Sequence, residues 1–153
     1  MSPRTVSDRV IREAPLLALD QDVRSAVEAL LQSDLPALPV VDGSGVLKGI
    51  FGEREFMGAL FPGYVGQLGY AGFVGKELED ALEKRATCAS ERVGEHMLAE
   101  HVDVGGDFSD VQVAETFLHH RVLVVPVVEE GRVVGVITRA DFFRRLAERF
   151  LEK

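Results

Sequence analysis

Apolar positions along the chain alternate between two periods. Residues 22–32 place Val23, Ala26, Val27, Leu30 and Leu31 at helical spacing, and residues 109–119 do the same with Val113, Ala114, Phe117 and Leu118. Each stretch predicts an amphipathic helix. After each comes a short apolar run containing a proline, at 37–41 and at 122–128. A glycine-bearing turn then leads to a second run, at 46–51 and at 132–137, so each pair of runs reads as a β-hairpin. Closing helices are predicted over 53–60 and 139–150, and short leading strands over 16–19 and 102–104. The unit is strand–helix–strand–strand–helix, and it occurs twice.

The two units are copies. Leu38-Pro39-Val40-Val41-Asp42 recurs as Val125-Pro126-Val127-Val128-Glu129, with the prolines 87 residues apart. Gly49-Ile50-Phe51 recurs as Gly135-Val136-Ile137 at an offset of 86. The one-residue difference falls in the hairpin turn, Asp42-Gly43-Ser44-Gly45 against Glu129-Glu130-Gly131, where a length change costs least. Glu28 and Leu31 match Glu115 and Leu118, and Phe56 and Leu60 match Phe142 and Leu146. The expected organisation is a first repeat over 1–60, a connecting segment over 61–90 and a second repeat over 91–153. One unit cannot cover its own sheet face, so the two are expected to pack against each other.

Composition narrows the function. With 17 Lys and Arg against 25 Asp and Glu, the 153 residues carry a formal charge of −8. That balance disfavours a general nucleic-acid or anionic-membrane binder, although it leaves room for a local basic pocket. Cys88 is the only cysteine, so no intramolecular disulfide forms, and a reducing cytoplasm is the simplest setting. No run approaches the ~18 apolar residues of a membrane helix, and the start of the chain has no signal-like apolar stretch.

Two copies of this order, each with a Pro-Val-Val strand and a glycine-led join from hairpin to helix, resemble a tandem CBS-domain pair, or Bateman module. The second copy carries the likeness most fully, in 120–128 and in Gly135-Val136-Ile137-Thr138-Arg139-Ala140-Asp141. The resemblance covers about four-fifths of the chain, everything but residues 61–90. It implies an α/β fold in which two β-α-β-β-α CBS repeats pack pseudo-symmetrically into one globule. It also implies a homodimer and a sensor for an adenine-containing ligand of the AMP, ADP, ATP or S-adenosylmethionine type, without catalysis of its own.

The chemistry of the second join supports such a ligand. Thr138 stands where a strand ends and a helix begins, so its hydroxyl can donate to a phosphate or ribose oxygen beside free helix N–H groups. Asp141, one turn on, can accept two hydrogen bonds from a ribose diol. Arg139 is a candidate phosphate contact and Ile137 a candidate wall. Thr-x-x-Asp is also close to a capping box, in which Thr138 caps the helix and Asp141 favours its positive end. Both roles can hold at once. In the CBS family the Thr and Asp positions contact the nucleotide, which assigns that role to Thr138 and Asp141.

The first copy departs from this pattern. Gly52 replaces the threonine and Glu55 the aspartate, so a degraded site is expected there. By the family pattern, the acid of one repeat faces the pre-strand segment and proline strand of the other. The Asp141 cleft is then expected to include Pro15, Leu16, Leu35, Pro36, Ala37 and Pro39. The Glu55 cleft is expected to include Val102, Asp103, Val122, Leu123 and Pro126, with Asp103 disfavouring phosphate.

Remaining features carry less. Glycines at 63, 66, 69, 72 and 75, with Tyr64 and Tyr70, suggest an ordered apolar loop or broken helical turns that either lid a cleft, bind a partner or simply connect. A short solvated helix is expected over 77–85, and Ser90 is a candidate cap for a helix over 91–98. Gly75-Lys76 lacks the first glycine of a phosphate loop, and His96, His101, His119 and His120 lack zinc spacing. Cys88 reads as an ordinary residue of a polar loop, and Arg144, Arg145 and Arg149 as an exposed helix face. No nucleophile–base pair or metal constellation points to an enzyme. The leading expectation is a stand-alone regulatory module signalling to a separate partner chain; the rival is a ligand-free dimerisation or docking scaffold.

Overall fold

The computed structural model of the chain describes residues 4–61 and 76–152. The glycine-spaced loop therefore lies outside the described residues. In the first repeat β1 (Leu17–Ala18) is followed by α1 (Val23–Ser33), β2 (Ala37–Val41), β3 (Leu47–Gly52) and α2 (Glu53–Leu60). In the second, β4 (Val104–Gly105) precedes α4 (Asp110–His119), β5 (Val124–Glu129), β6 (Arg132–Thr138) and α5 (Arg139–Leu151). Helix α3 (Lys76–Lys84) and 3₁₀ turns at Ala86–Ser90 and Val93–Glu95 connect them. Among the described residues no helix is long and apolar enough to cross a membrane.

Local chemistry sets these boundaries. The Asp22 carboxylate accepts the Ser25 N–H at 2.8 Å and starts α1, while the Ser109 hydroxyl accepts the Gln112 N–H at 3.2 Å and starts α4. Each repeat forms a three-stranded sheet, ordered β1-β2-β3 and β4-β5-β6, with a parallel first pair and an antiparallel hairpin. Both hairpins shift register at matching points, Val40/Val41 and Val127/Val128.

The prolines fit these central strands for a specific reason. Pro39 lies opposite Ile50, whose N–H and C=O point away from β2 and pair with Leu98 at 3.1 and 2.8 Å. Pro39 and Ile50 are thus a non-hydrogen-bonded pair, and the missing proline N–H faces a position beyond the short β1, which begins opposite Val40. Pro126 repeats this arrangement opposite Val136, which pairs outward with Arg12.

Those outward pairs interlock the repeats. The segment before β1 adds Arg12 to the edge of the second-repeat sheet, and the segment before β4 adds Leu98 to the edge of the first. Val6, Val10 and Ile11 accordingly pack in the second-repeat core with Phe108, Val113, Ile137 and Phe142. Val93 and Met97 pack in the first-repeat core with Leu38, Val40, Phe51 and Leu17. The packed units therefore cross the sequence halves. Glycine permits each crossing: a Cβ on Gly135 would stand 2.6 Å from the Arg12 carbonyl oxygen, and one on Gly49 2.7 Å from that of Leu98.

Two local expectations are corrected. Residues 91–98 are not an α-helix capped by Ser90, because their backbone is already committed to the first repeat. Glu91 accepts from Val23, Val93 donates to Gln21, Gly94 donates to Leu19, and Leu98 pairs with Ile50. Cys88 is not in a polar loop; it is 3% exposed and packs with Ala59, Leu60, Phe56 and Phe61. Burial pushes its thiol above the usual range and the Glu91 charge adds to this against Arg85, so it stays protonated near neutrality.

Candidate functional site

Equivalent positions at the starts of α2 and α5 hold two unequal clefts. In the second repeat the Thr138 hydroxyl accepts the Asp141 N–H at 3.0 Å, so it caps α5 while keeping its own proton free to donate. Thr138 is buried, whereas Asp141 is partly exposed at the mouth of an open cleft of about 350 Å³. Arg9, Val10, Ile11, Arg12, Arg144, Arg145 and Glu148 line the rest of it. Arg12 Nε donates to Asp141 Oδ2 at 2.7 Å and Nη2 to Oδ1 at 3.2 Å, a bidentate pair.

The arginines arrive from two directions. Arg144 and Arg145 follow Asp141 on α5. Arg9 and Arg12 come from the strap before β1, which is tied to the second repeat at its start. There Asp110 accepts the Val6 and Ser7 N–H groups at 2.9 and 2.8 Å and the Thr5 hydroxyl at 3.3 Å. Burial alone pushes the Asp110 carboxyl up, but the hydrogen bonds from Ser7, Val6 and Thr5 outweigh it and hold it below its ordinary value. Arg4 adds a cation–π contact, 4.5 Å from the Phe108 ring centre.

The first-repeat cleft is lined by Pro36, Ala37, Ile50, Glu53, Arg54, Glu55, Leu98 and 121–124, with space of only about 30 Å³, room for a water or so. Glu55 is turned back on its own helix, where its Oε1 accepts the Gly52 N–H at 2.9 Å. Burial pushes the Glu55 carboxyl above the ordinary range against that hydrogen bond. Arg54 Nη1 donates to the Arg121 carbonyl at 2.9 Å and joins the repeats across this cleft. Gly52 has no latitude, since a Cβ there would lie 2.4 Å from the Pro36 carbonyl oxygen and 2.5 Å from the Ala37 Cβ.

The structure distributes the sequence-derived site residues as follows. Asp141 lines the open cleft with Arg12 from the pre-strand segment, while Thr138 is buried behind it and outside the lining. Pro15 and Leu16 are exposed and outside its lining; Leu35 and Pro39 are buried in the first repeat and Ile137 in the second. Pro36 and Ala37 line the Glu55 cleft, beside Gly52, together with Val122 and Leu123. Val102 and Asp103 lie outside that lining, Asp103 facing His101 at 3.5 Å, and Pro126 is buried in β5. Arg139 opens onto a third, apolar cleft of about 550 Å³ between α4 and α5, with Phe117, Leu118, Phe142, Phe143 and Leu146.

Arg9 and Arg12 escaped the sequence reading because the repeat was traced only from the leading strands. The matching offset between Arg12 and Leu98, 86 residues, equals that between Ile50 and Val136, and extending the repeat upstream would have exposed the strap.

The CBS domain family profile matches the chain twice, over residues 6–62 and 94–148. A CBS domain-containing protein of unknown function from Kribbella flavida is 26% identical, with a TM-score of 0.68 over 91% of this chain and 96% of its own. CBSX2 in complex with AMP is 21% identical, with a TM-score of 0.68 over 98% of this chain and 99% of its own. Methanocaldococcus jannaschii MJ1225, described as a putative archaeal homolog of g-AMPK, is 18% identical; its TM-score is 0.72 over 95% of this chain and 48% of its own. No curated protein sequence matches the chain.

Proposed function

The chain belongs to the CBS domain family, with two copies in tandem, and from that premise we propose a regulatory module that binds an adenine-containing ligand in the Asp141 cleft. One observation carries this reading. The second-repeat join offers an acid, a capped helix start and four arginines around open space of about 350 Å³, within the range of small-molecule sites. The Glu55 cleft is far smaller, and Glu55 itself caps its own helix. CBSX2, a protein of the same fold, has a crystal structure in complex with AMP.

Binding has a path to a regulatory output. The ligand contacts the strap from before β1 and the first turns of α5 together. Helix α5 also exposes Phe143, 68% exposed, beside Leu118 of α4 at 80%, and further along the helix Phe150 at 78%. These side chains form the natural face for a second copy, because apolar groups this exposed gain most by leaving water. A ligand that prefers one placement of α5 shifts the population of that placement, and the partner surface moves with it.

The ligand assignment is tested on ribose hydroxyls. Calorimetry should show AMP binding more tightly than 2′,3′-dideoxy-AMP to the wild type, and Asp141→Ala should bind the two alike, removing a preference of about tenfold. A preference unchanged by the substitution would move the ribose elsewhere. No binding of AMP, ADP or ATP to a cooperatively melting protein would favour the ligand-free scaffold, a reading supported by the closed Glu55 cleft. For the assembly, mass photometry should show a dimer that Phe143→Arg converts to monomer; a wild-type monomer at micromolar concentration would remove the dimer.

A further inference from the structure

The acid of the open cleft is already engaged. Both Asp141 carboxylate oxygens accept from the Arg12 guanidinium, at 2.7 and 3.2 Å, and a ribose diol would need those same two acceptors. Arg12 is also held in place, because its backbone N–H and C=O pair with Val136 at 2.9 and 2.8 Å. Exchanging a bidentate charge-assisted pair for two neutral hydroxyl hydrogen bonds is unfavourable by itself. It becomes favourable if the released guanidinium finds another anion within reach.

The cleft is built to hold such an anion. Arg9 and Arg144 make no ion pair among the described residues, and Arg145 Nε is buried without a hydrogen-bond partner among them. Four guanidinium groups thus line the cleft with two carboxylates, Asp141 and Glu148, and a third, Glu152, stands 4.0 Å from Arg145, which also lies 3.7 Å from Glu148, on a chain of net charge −8. A phosphate accepts readily from planar guanidinium groups, and a cationic sulfonium would be repelled by them.

We propose that Arg12 is the specificity-determining residue of this cleft: it covers Asp141 until a phosphate takes over its guanidinium. The cleft then accepts phosphorylated adenosines and rejects both unphosphorylated adenosine and cationic adenosyl compounds. This rests on the reading of the Asp141 cleft as an adenine-ligand site. Arg12→Gln keeps the length and backbone pairing of the strap while removing the charge, and Arg12→Lys keeps the charge without the fork.

The test is a calorimetric comparison of AMP and adenosine on the wild type, Arg12→Gln and Arg12→Lys, with cooperative melting checked first. The wild type should prefer AMP strongly. Arg12→Gln should bind adenosine about fivefold or more tightly and AMP more weakly, so that the preference falls at least tenfold. Arg12→Lys should lie between, and it carries the test if Arg12→Gln does not fold. A wild-type preference retained in the substituted protein, or adenosine binding no tighter than wild type, would overturn the proposal. If AMP still distinguishes wild type from Asp141→Ala by its ribose hydroxyls, the site reading survives that outcome. Absence of AMP binding to every variant would overturn both.

Discussion

Replacing Gly52 with threonine, the residue at the matching position of the second repeat, should destabilise the protein by about 3 kcal/mol rather than restore a ligand hydroxyl. The new Cβ would stand 2.4 Å from the Pro36 carbonyl oxygen and 2.7 Å from the Ala37 Cα, and both are backbone atoms of a buried strand start. No rotamer relieves a clash made by Cβ itself. The Glu53 N–H also donates to the Pro36 carbonyl at 3.0 Å, so moving that backbone away sacrifices the join between β2 and α2. The melting temperature should fall by roughly 10 °C in a protein of this size. Gly58→Ala in the helix that follows is the control. Among the described residues nothing lies within 4 Å of its new Cβ, and it should stabilise by about 0.5–1 kcal/mol. A Gly52→Thr protein as stable as wild type would show that Pro36 and Ala37 yield easily, and the closed Glu55 cleft would then owe its shape to something else.

The second large effect lies at Gly135. An alanine there would place its Cβ 2.6 Å from the Arg12 carbonyl oxygen and 2.7 Å from the Ile11 Cγ2. Either the strap lifts from the edge of β6 or the sheet distorts, at a cost of about 2–3 kcal/mol. The two backbone hydrogen bonds between Arg12 and Val136 are the first interactions at risk. Hydrogen exchange at the Arg12 and Val136 amides should accelerate more than at the Ile50 and Leu98 amides, which serve the same role in the other repeat. Because Arg12 reaches Asp141 from this strap, Gly135→Ala should also release part of the Asp141 shielding. Native exchange at Arg12 in a stable Gly135→Ala protein would contradict the tight crossing.

The two crossings explain why the legible part of the sequence stopped where it did. Elements whose cause is local were readable from residue order. The amphipathic stretches over 22–32 and 109–119, the hairpins that include Pro39 and Pro126, and the bounds of β2 and α2 follow from periodicity and turn residues within a few positions. The missing α-helix over 91–98 and the buried position of Cys88 were not readable. Their conformation is decided by partners at distant positions, Val23, Gln21 and Ile50 for the former and Ala59, Leu60 and Phe56 for the latter. Backbone hydrogen bonds and core contacts of that kind override a local helical pattern.

At the candidate site the division is the same. The resemblance of two copies in register pointed to a pair of CBS repeats. The sequence by itself determined that Thr138 and Asp141 share the first turn of a helix, and that Gly52 and Glu55 stand in their places in the other copy. Those statements depend on spacing along one element. Only the tertiary structure decided that Arg12 occupies Asp141, that Glu55 caps its own helix, and that one cleft is open while the other is nearly filled. Residues 12 and 141 are brought together by a strap that crosses to the other repeat, and that crossing depends on Gly135 having no side chain. A contact between residues so far apart in sequence is set by how sheets and straps pack, which residue-by-residue periodicity does not encode.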